Sequence, residues 1–365
     1  GSRLILRSYY HWLSGKVSSR HVAIIYGAGS AGAQLALSLQ AGGEVKPIAF
    51  IDDDRKLQKN IVCGLRVHAP SDLEALVERH GVDSIMLAML NVTAAQRRLI
   101  LDRLSTLSVN ILTMPTIGEL ISGKAVDDLR EVEIEDLLGR DQVAPDQSLI
   151  ARSIEGKSVC ITGAGGSIGS ELARQAVTYG AAKVVLYEQS EYALYAIEAE
   201  LSLLIRNVNP GCQLLPILGS VLDEDRVTQV LKQYSVQTVY HAAAYKHVPL
   251  VEHNVLQGVQ NNALGTGVVA SVAKKLNIER FILISTDKAV RPTNVMGATK
   301  RLAEIVVQRL AAENHSNTIF SMVRFGNVLG SSGSVVPLFK KQIEQGGPIT
   351  VTHPEINRFF MTIPE

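Results

Sequence analysis

The chain has few cysteines and almost no net charge, and each shortage disfavours a class of function. Its three cysteines, Cys63, Cys160 and Cys212, are far apart and show neither CxxC nor Cys/His spacing. This pattern disfavours a disulfide framework and a metal site such as zinc, and it is typical of a reducing cytosol. The formal net charge of the 365 residues is only +1, so no basic field would attract nucleic acid or anionic lipid.

A long hydrophobic run is also missing. No apolar stretch approaches the roughly 18 residues that span a bilayer, and no signal peptide opens the chain, so we expect it to be soluble as given. Apolar residues make up 46% and charged residues 19%, which excludes a mainly disordered chain. The leading Gly1-Ser2 has the look of an expression remnant, and we therefore expect the natural protein to begin earlier.

What the sequence does contain is an internal repeat. HVAIIYGAGSAG at 21–32 and KSVCITGAGGSIG at 157–169 each run from an apolar strand pattern into a glycine-rich turn and a helical pattern. Strands that alternate with helices predict parallel sheets with a helical layer on both faces. We therefore predict an α/β protein with two Rossmann-like, doubly wound parallel-sheet domains in tandem.

The periodicity also predicts where the domains lie. Residues 1–20 are a linker, 21–115 form the first domain, 116–150 an acidic connector, and 151–365 the second domain. The first domain is predicted to have helices near 30–40, 71–80 and 93–106, with strands at 22–26, 48–51, 84–89 and 109–113. The second is predicted to have strands near 158–162, 183–188, 213–218, 238–242, 281–285 and 318–323.

The second glycine-rich turn predicts a dinucleotide site. Its glycines fall at GxxGxxG spacing: Gly163, Gly166 and Gly169. They allow a tight turn, close approach of a pyrophosphate and contact between helix and strand. Ser167 and Ile168 then begin the helix beside the phosphates. Glu188 ends the next strand about 20 residues on, where a carboxylate binds a ribose diol and repels a 2′-phosphate. The pattern favours NAD over NADP.

The first turn, 27–32, has the same strand and helix around it, with Asp52 at the end of the following strand. Two interpretations remain open. The turn either binds a nucleotide or another small ligand, or it is kept for structural reasons, with Asp52, Asp53 and Asp54 forming a solvated turn.

Several segments together resemble a known family: TGAGGSIGSEL, YKHVPLVE, STDKAVRPTNVMGATKR and VRFGNVLGSSGSVVPLF. They resemble the extended short-chain dehydrogenase/reductases, and more narrowly the UDP-N-acetylglucosamine 4,6-dehydratases of bacterial capsule, O-antigen and protein-glycosylation pathways. The resemblance covers about 21–365. It implies a lyase that uses NAD, acts on UDP-N-acetylglucosamine or a related nucleotide sugar, and self-associates as a homo-oligomer.

The large subgroup of that family carries a membrane-spanning part ahead of its two Rossmann-like domains. The resemblance therefore implies that the full-length protein lies at the cytoplasmic face of the bacterial inner membrane. The extended family also builds its sugar and uridine pocket partly from a C-terminal substrate region. Because this sequence stops at MTIPE, we expect that region to be incomplete.

Most short-chain dehydrogenases use a Tyr-x-x-x-Lys pair, in which the lysine shares a helix face with the tyrosine and lowers the pKa of its phenol. Here the pair reads Met296 and Lys300, and a thioether has no proton to give. The large dehydratase subgroup shows the same substitution, so the resemblance implies a subgroup and not an inactive enzyme. Met296 is equally compatible with core packing.

The resemblance assigns the proton chemistry to Thr286, Asp287 and Lys288. Asp287 would protonate the departing C6 hydroxyl, Lys288 would take the C5 proton, and Thr286 with Lys300 would relay the proton from O4. For these roles Asp287 must be protonated and Lys288 neutral when they act, which requires burial and mutual influence. The alternative is a surface ion pair at a strand end.

The remaining candidates contact ligand in more limited ways. Ala242 and Ala243 leave room for the dinucleotide, and Asn262 matches an asparagine that supports the catalytic lysine through water in the wider family. Further candidates for substrate contact are Lys246, His247, Asn327, Ser331 and Arg358. For these, the alternatives are a structural histidine, a polar turn at Asn327 and a solvated arginine.

Two other functions are weighed against the dehydratase. A nucleotide-sugar 4-epimerase shares the fold and the oxidation at C4, but it needs no acid and base at C5 and C6. A noncatalytic nucleotide-binding scaffold is motivated by Met296 and by the expected incomplete end.

Overall fold

The structure is a computed structural model that describes residues 21–43, 45–89, 92–114, 129–131, 146–313, 317–331, 335–351, 353, 355 and 358–363. The chain divides into two compact units, Gly1–Asp141 and Gln142–Glu365. The predicted segment 1–20 and most of the predicted connector lie outside the described residues, so the predicted domain boundaries stay predictions. Within the described ranges, no helix is long and apolar enough to cross a bilayer.

The first unit is built on a seven-stranded sheet of order β3-β4-β2-β1-β5-β6-β7. Its strands are β1 (His21–Tyr26), β2 (Val45–Ile51), β3 (Ile61–Val62), β4 (Leu65–His68), β5 (Ser84–Leu87), β6 (Asn110–Thr113) and β7 (Arg130–Glu131). Its helices are α1 (Ser30–Gly42), α2 (Leu73–His80) and α3 (Ala94–Leu104). The pairings are parallel except at the two edges, where β3–β4 and β6–β7 are antiparallel.

The four strands predicted for this unit are present, but β3, β4 and β7 were not predicted. β3 and β7 are two residues long and β4 is four, too short to show an alternating pattern. β7 also falls within the predicted connector. These edge strands correct the prediction of a purely parallel sheet.

The second unit is built on a six-stranded parallel sheet of order β10-β9-β8-β11-β12-β13. Its strands are β8 (Ser158–Thr162), β9 (Lys183–Glu188), β10 (Gln213–Leu218), β11 (Thr238–His241), β12 (Arg280–Thr286) and β13 (Ile319–Phe325), joined by a small separate pair, β14 (Asn327–Val328) and β15 (Phe360–Met361). The predicted strands agree with β8–β13 to within two residues.

Helices separate these strands: α4 (Gln147–Ile154), α5 (Ser167–Thr178), α6 (Glu191–Val208), α7 (Glu224–Gln233), α8 (Val248–His253), α9 (Val255–Gly258), α10 (Gly265–Lys275), α11 (Val295–Ala312) and α12 (Val335–Glu344). A π-helical stretch, Val259–Leu264, runs from α9 into α10.

Alternation along the central strands produces two cores in each unit. In β8, Val159 and Ile161 belong to one buried cluster and Cys160 to the other. In β1, Ala23 and Ile25 alternate in the same way with Ile24. Because successive side chains of a strand point to opposite faces, each sheet is covered on both faces. The predicted pair of doubly wound Rossmann-like sheets is confirmed, and such sheets bind ligands at the carboxyl ends of their strands.

Candidate active site

The turn between β8 and α5 is so tight that only glycine fits at its ends. Gly163 has φ of 66°, and a Cβ there would lie 2.7 Å from the backbone of Ala243. A Cβ on Gly169 would lie 2.0 Å from the carbonyl oxygen of Gly163. Gly166 is the N-cap of α5, which starts with Ser167 and Ile168. The helix therefore begins directly over the strand end, with its first amides at the place where a diphosphate binds.

Gly165, which the sequence analysis did not single out, joins the turn to the predicted ribose-binding acid. Its N–H donates to Oε2 of Glu188 at 3.0 Å, while Oε1 accepts from the N–H groups of Gln189 and Ser190, each at 2.9 Å. Glu188 is only 9% exposed. The carboxylate is therefore fixed beside the turn, and the four consecutive residues GAGG were the available signal for Gly165.

Two cavities adjoin this turn. One has a volume of about 280 Å³ and is lined by Glu188, Ala242, Ala243 and Asn261, among others. The second has a volume of about 610 Å³ and continues past Ser167 and Ile168 to Lys246 and His247. Both include Gly163, Gly165 and Gly166 in their walls. Glycines that admit no side chain at Gly163 and Gly169, a fixed carboxylate and two adjoining cavities fit a bound dinucleotide.

Lys246 and His247 both lie in the wall of the larger cavity and both are exposed. Although Lys246 as a residue is exposed, the cavity wall partly buries its amine, and this desolvation lowers the pKa of Lys246. His247 is the N-cap residue of α8. The structure therefore brings these two predicted residues to the cofactor turn, where Lys246 presents a cation.

Asn262 is fully buried in the π-helical stretch and fastens the loop after β11. Its Oδ1 accepts from the Tyr245 N–H at 2.8 Å, and its Nδ2 donates to the Tyr245 carbonyl at 2.9 Å and to the Thr299 hydroxyl at 3.0 Å. Thr299 is the neighbour of Lys300, so Asn262 links the cavity wall to the helix that carries the lysine. π-helical turns are frequent at functional sites.

The predicted catalytic segment lies at the carboxyl end of β12. Thr286 ends the strand, and Asp287 and Lys288 form a 3₁₀ turn directly after it. Oδ1 of Asp287 accepts from the Thr286 hydroxyl at 3.0 Å and from Nζ of Lys288 at 3.1 Å. The lysine also donates to Oδ1 of Asn327, at 3.1 Å. The structure thus brings four predicted residues into one hydrogen-bonded cluster.

This cluster is less buried than the predicted acid and base roles require. The Asp287 side chain is 45% exposed and that of Lys288 is 25% exposed, and the two form an ion pair. The expectation that both side chains are buried is therefore wrong for the protein without substrate, because the pair lies just beyond the carboxyl end of β12, where both side chains are partly exposed to solvent. A bound substrate would have to supply the desolvation.

Met296 and Lys300 lie side by side on α11, both buried, with 4% and 5% exposure. Nζ of Lys300 donates to the carbonyl of Ile284 at 2.7 Å, so the lysine is bound to the strand and not to Thr286. Burial lowers the pKa of Lys300 to about 8. A Cβ on Gly297 would meet the backbone of Lys288 at 2.4 Å. The start of α11 therefore packs directly on the turn that carries Asp287 and Lys288.

Glu304, one helical turn beyond Lys300, was not predicted. It is completely buried, and its carboxylate accepts from Ser285 at 2.7 Å, from Arg324 at 2.6 and 2.7 Å, and from Arg301 at 2.9 Å. Burial alone would raise the pKa of Glu304, but the hydrogen bonds from Arg324, Ser285 and Arg301 lower it to about 2. The sequence signal for Glu304 was an acidic residue four positions after Lys300, on the same, otherwise apolar face of the helix.

His241, at the end of β11, is a third residue that was not predicted, after Gly165 and Glu304. It is fully buried, with Nδ1 2.7 Å from the Thr162 hydroxyl and Nε2 3.0 Å from that of Thr266. Thr266 donates its proton to the Asn262 carbonyl at 2.6 Å, so Nε2 carries the histidine proton. Burial, and then the charge of Lys300, lower the pKa of His241 to about 3. The ring is neutral and joins the glycine-turn strand to α10.

Ser331 and Arg358, which were predicted to contact substrate, do not join the cluster of Thr286, Asp287, Lys288 and Asn327. Ser331 is 7% exposed and donates to the carbonyl of Val328 at 2.9 Å, within its own turn. Arg358 is exposed and precedes β15, which pairs with β14 and so with Asn327. Among the described residues, no group of three or more histidine, cysteine, aspartate or glutamate side chains is placed to hold a metal ion.

Comparison with known families agrees with this geometry. Residues 159–365 match the family described as "Polysaccharide biosynthesis protein". The chain belongs to this polysaccharide biosynthesis family. The resemblance inferred from the glycine turn and the Thr-Asp-Lys segment is confirmed at the level of the family.

Relatives within and around this family have several names. The capsular polysaccharide biosynthesis protein CapD of Staphylococcus aureus is 43% identical, over 100% of this chain and 61% of its own length. A UDP-N-acetylglucosamine 4,6-dehydratase (inverting) of Campylobacter jejuni is 34% identical, over 58% of this chain and 61% of its own. A UDP-glucose 4-epimerase of Rickettsia canadensis is 32% identical, over 57% and 59%.

The X-ray structure of Pen from Bacillus thuringiensis is 33% identical, with a TM-score of 0.53, and covers 58% of this chain and 65% of that one. This chain spans about three fifths of the length of the curated relatives it matches, 61% for the first two. Overall identity therefore gives the family, and the choice between dehydratase and epimerase depends on the site.

Proposed function

We propose that the protein catalyses the NAD-dependent 4,6-dehydration of UDP-N-acetylglucosamine to a 4-keto-6-deoxy sugar for bacterial surface polysaccharide. The observation that carries the proposal is the Asp287–Lys288 pair at the carboxyl end of β12, with Lys300 buried behind it and Met296 where a tyrosine usually stands. A carboxylate and an amine within 3.1 Å of each other are the acid and base that an elimination across C5 and C6 needs.

The order of steps follows from carbon acidity. When bound, NAD supplies the hydride chemistry, which oxidises C4 first and reduces C6 last. A ketone at C4 acidifies the C5 hydrogen. Without the ketone, this hydrogen is too weak an acid for a side-chain base to remove. The glycine turn and Glu188 support NAD as the cofactor, because the fixed carboxylate disfavours a 2′-phosphate.

The ion pair can convert itself into the forms that elimination needs. Transfer of one proton from Nζ of Lys288 to Oδ1 of Asp287 leaves a neutral amine and a protonated carboxyl group. Desolvation disfavours two charges relative to two neutral groups, so a sugar that covers this edge favours the transfer. Lys288 then accepts the C5 proton, Asp287 donates its proton to the departing C6 hydroxyl, and the ion pair is restored. When the hydride adds to C6, Lys288 returns a proton to C5 and takes up another from solvent.

Thr286 and Lys300 remain candidates for handling the O4 proton. The Thr286 hydroxyl donates to Asp287. Because Asp287 already holds the proton that came from Lys288, the proton taken from O4 passes through Thr286 to solvent. For Lys300 we propose that it binds the nicotinamide ribose, as the lysine of the usual pair does; its position at the Ile284 carbonyl, at the end of β12, supports this.

Product analysis tests the proposal. The full chain is incubated with NAD and UDP-N-acetylglucosamine in deuterated water, and the sugar is followed by NMR. We expect a 4-keto-6-deoxy product with deuterium at C5, because the base removes that hydrogen to solvent. An epimerised sugar that keeps its 6-hydroxyl would support the 4-epimerase, which the Rickettsia relative motivates. Bound NAD without any product would support a noncatalytic scaffold.

A substitution tests the acid. Asp287→Asn should lower water loss about 100-fold or more, in line with the loss of a positioned general acid, while NAD binding measured by calorimetry stays unchanged. Asp225→Asn, which removes an exposed carboxylate on α7, is the matched control and should turn over normally. Near-normal turnover of Asp287→Asn would remove this residue from the mechanism.

A further inference from the structure

The first unit has a cavity of its own, which the family match at 159–365 does not reach. Its volume is about 490 Å³, and it lies where β1, β2 and β5 end, against Gly27, Gly29, Asp52 and Met89. β1 lies between β2 and β5 in the sheet, so the strand order reverses beside it. In open α/β sheets, ligands bind in the crevice at this reversal.

The backbone around this cavity matches that of the second unit closely. The N–H of Gly27 donates to the carbonyl of Ile51 at 2.7 Å, as that of Gly163 donates to Tyr187 at 2.8 Å. A Cβ on Gly32 would lie 1.9 Å from the Gly27 carbonyl oxygen, and the corresponding distance from Gly169 to the Gly163 oxygen is 2.0 Å.

Gly27 itself has φ of 108°, and a Cβ there would lie 2.7 Å from the Ala88 carbonyl oxygen. The turn GAGSAG is therefore closed to side chains at Gly27 and Gly32, whereas the space beside Gly29, between them, is open. Its GxGxxG spacing, with an acid about 20 residues on, is the dinucleotide pattern in its full strand–turn–helix context.

Asp52 repeats the role of Glu188. Its Oδ2 accepts from the Ala28 N–H at 2.7 Å and its Oδ1 from the Asp54 N–H at 2.8 Å, so the carboxylate is fixed beside the turn. A carboxylate has about four acceptor positions, and two backbone bonds leave capacity for a ribose diol. The equivalence of Asp52 and Glu188 disfavours the alternative of a merely solvated turn.

The far wall of the cavity is suited to a base. Met89, Leu99 and Ile100 line it, and Leu99 is 67% exposed although it is apolar. At the rim, Arg103 donates to the Tyr26 hydroxyl at 3.0 Å and to Asp53 at 3.2 Å. Asp53 balances the charge of Arg103, so we expect the turn and the start of α1, and not Arg103, to contact the phosphates.

We propose that the first unit binds a nucleotide that has a free ribose 2′,3′-diol and a diphosphate, with the diphosphate over the 27–32 turn, the diol on Asp52 and the base against Met89 and Leu99. The site is independent of the dehydratase chemistry proposed for the second unit. Its described lining residues include no aspartate–lysine pair like Asp287 and Lys288, and the proposal is one of binding alone.

The test uses ADP, UDP and NAD as probes on the full chain, with hydrogen–deuterium exchange as the readout. We expect at least one probe to protect 27–32 and 50–54. Ser30→Asp places an acid in the first turn of α1, which favours the helix and repels a phosphate, so it should abolish this protection or weaken binding about tenfold or more. Ala41→Glu adds the same charge at the other end of α1 and should leave it unchanged.

A second pair of measurements separates the two units. Ser167→Asp blocks the second glycine turn in the same way and should leave protection at 27–32 intact, whatever becomes of turnover. NADP should protect 27–32 less than NAD does, and Asp52→Ser should remove that difference. The inference is overturned if none of the three probes protects 27–32 at concentrations of about 1 mM, or if Ser30→Asp binds them as the unchanged chain does.

Discussion

Replacement of Glu304 by glutamine should destabilise the second unit strongly, although this residue touches no proposed ligand. Its carboxylate joins three elements: Ser285 at the end of β12, Arg324 on β13 and Arg301 on α11 itself. Glutamine has almost the same shape but only one oxygen and no charge. It would leave the guanidinium groups without their shared anion and place an amide N–H₂ group against their donors.

The size of the effect follows from the pKa. The hydrogen bonds of the cluster overcome burial and lower the pKa of Glu304 from 4.5 to about 2. That difference corresponds to about 3 kcal/mol of unfolding free energy at neutral pH. The cost of removing one partner from a buried ion pair, about 3–5 kcal/mol, gives the same order. We therefore expect Glu304→Gln to lower the free energy of unfolding by about 3 kcal/mol.

The pH dependence has a definite sign. Because the folded-state pKa lies below the unfolded-state value, the carboxylate stabilises the fold above pH 4.5 and loses that effect as the pH falls towards 2. The difference in unfolding free energy between the unchanged chain and Glu304→Gln should be greatest at pH 7 and should shrink below pH 4.5. Urea titration with hydrogen exchange read at the β12 amides gives the free energy of this unit alone.

Glu313→Gln is the matched control, since Glu313 lies just beyond the same helix and pairs with Lys274 and Arg309 at a side-chain exposure of 44%. Exposed pairs contribute little, so its effect should be small in comparison. Equal losses for the two variants, or a Glu304→Gln difference that does not shrink in acid, would refute the reasoning.

Two further substitutions test buried or fixed charges at the site. Burial lowers the pKa of Lys300 from 10.5 to about 8, which corresponds to a loss of about 3 kcal/mol in the free energy of unfolding at pH 7. The hydrogen bond of Lys300 offsets about 1 kcal/mol of this loss. Lys300→Met should therefore stabilise the second unit by about 2 kcal/mol at pH 7 while abolishing turnover. The unfolded lysine binds more protons between pH 8 and 10.5, so that advantage should fade over this range; a destabilised variant at pH 7 would contradict it. Glu188→Ala should weaken NAD relative to NADP in calorimetric titration, whereas an unchanged preference would mean that the ribose is bound elsewhere.

Much of the fold could be predicted because the central strands carry their own signal. β8, β9 and β10 are continuous apolar runs that end in glycine, glutamate or a turn, and their predicted bounds match those observed. The short edge strands have no such signal: β4 pairs with β2 through two residue pairs, Phe50–Val67 and Ile51–His68. An edge strand is specified by its neighbour, which periodicity does not record.

The candidate site divides in a similar way. Residues consecutive in sequence, such as Thr286, Asp287 and Lys288, could be placed from the strand that precedes them. Lys288 and Asn327 are far apart in the chain, and they meet because each follows the carboxyl end of one of two neighbouring strands, β12 and β13, in which Thr286 lies opposite Phe325. Glu304 and His241 were missed because the partners that make them informative come from other elements.

The exposure of the Asp287–Lys288 pair limits when it can act. Without substrate the two groups are charged, paired and partly hydrated, a state in which neither is an acid or a base of the kind that elimination needs. The buried groups behind them, Lys300 and Glu304, hold the strand end and α11 in fixed positions, so the missing contribution is the removal of water from the open side. If the proposed dehydration is correct, a ligand that covers the carboxyl end of β12 has to remove this water, and binding of the sugar would itself convert the ion pair into the acid and the base.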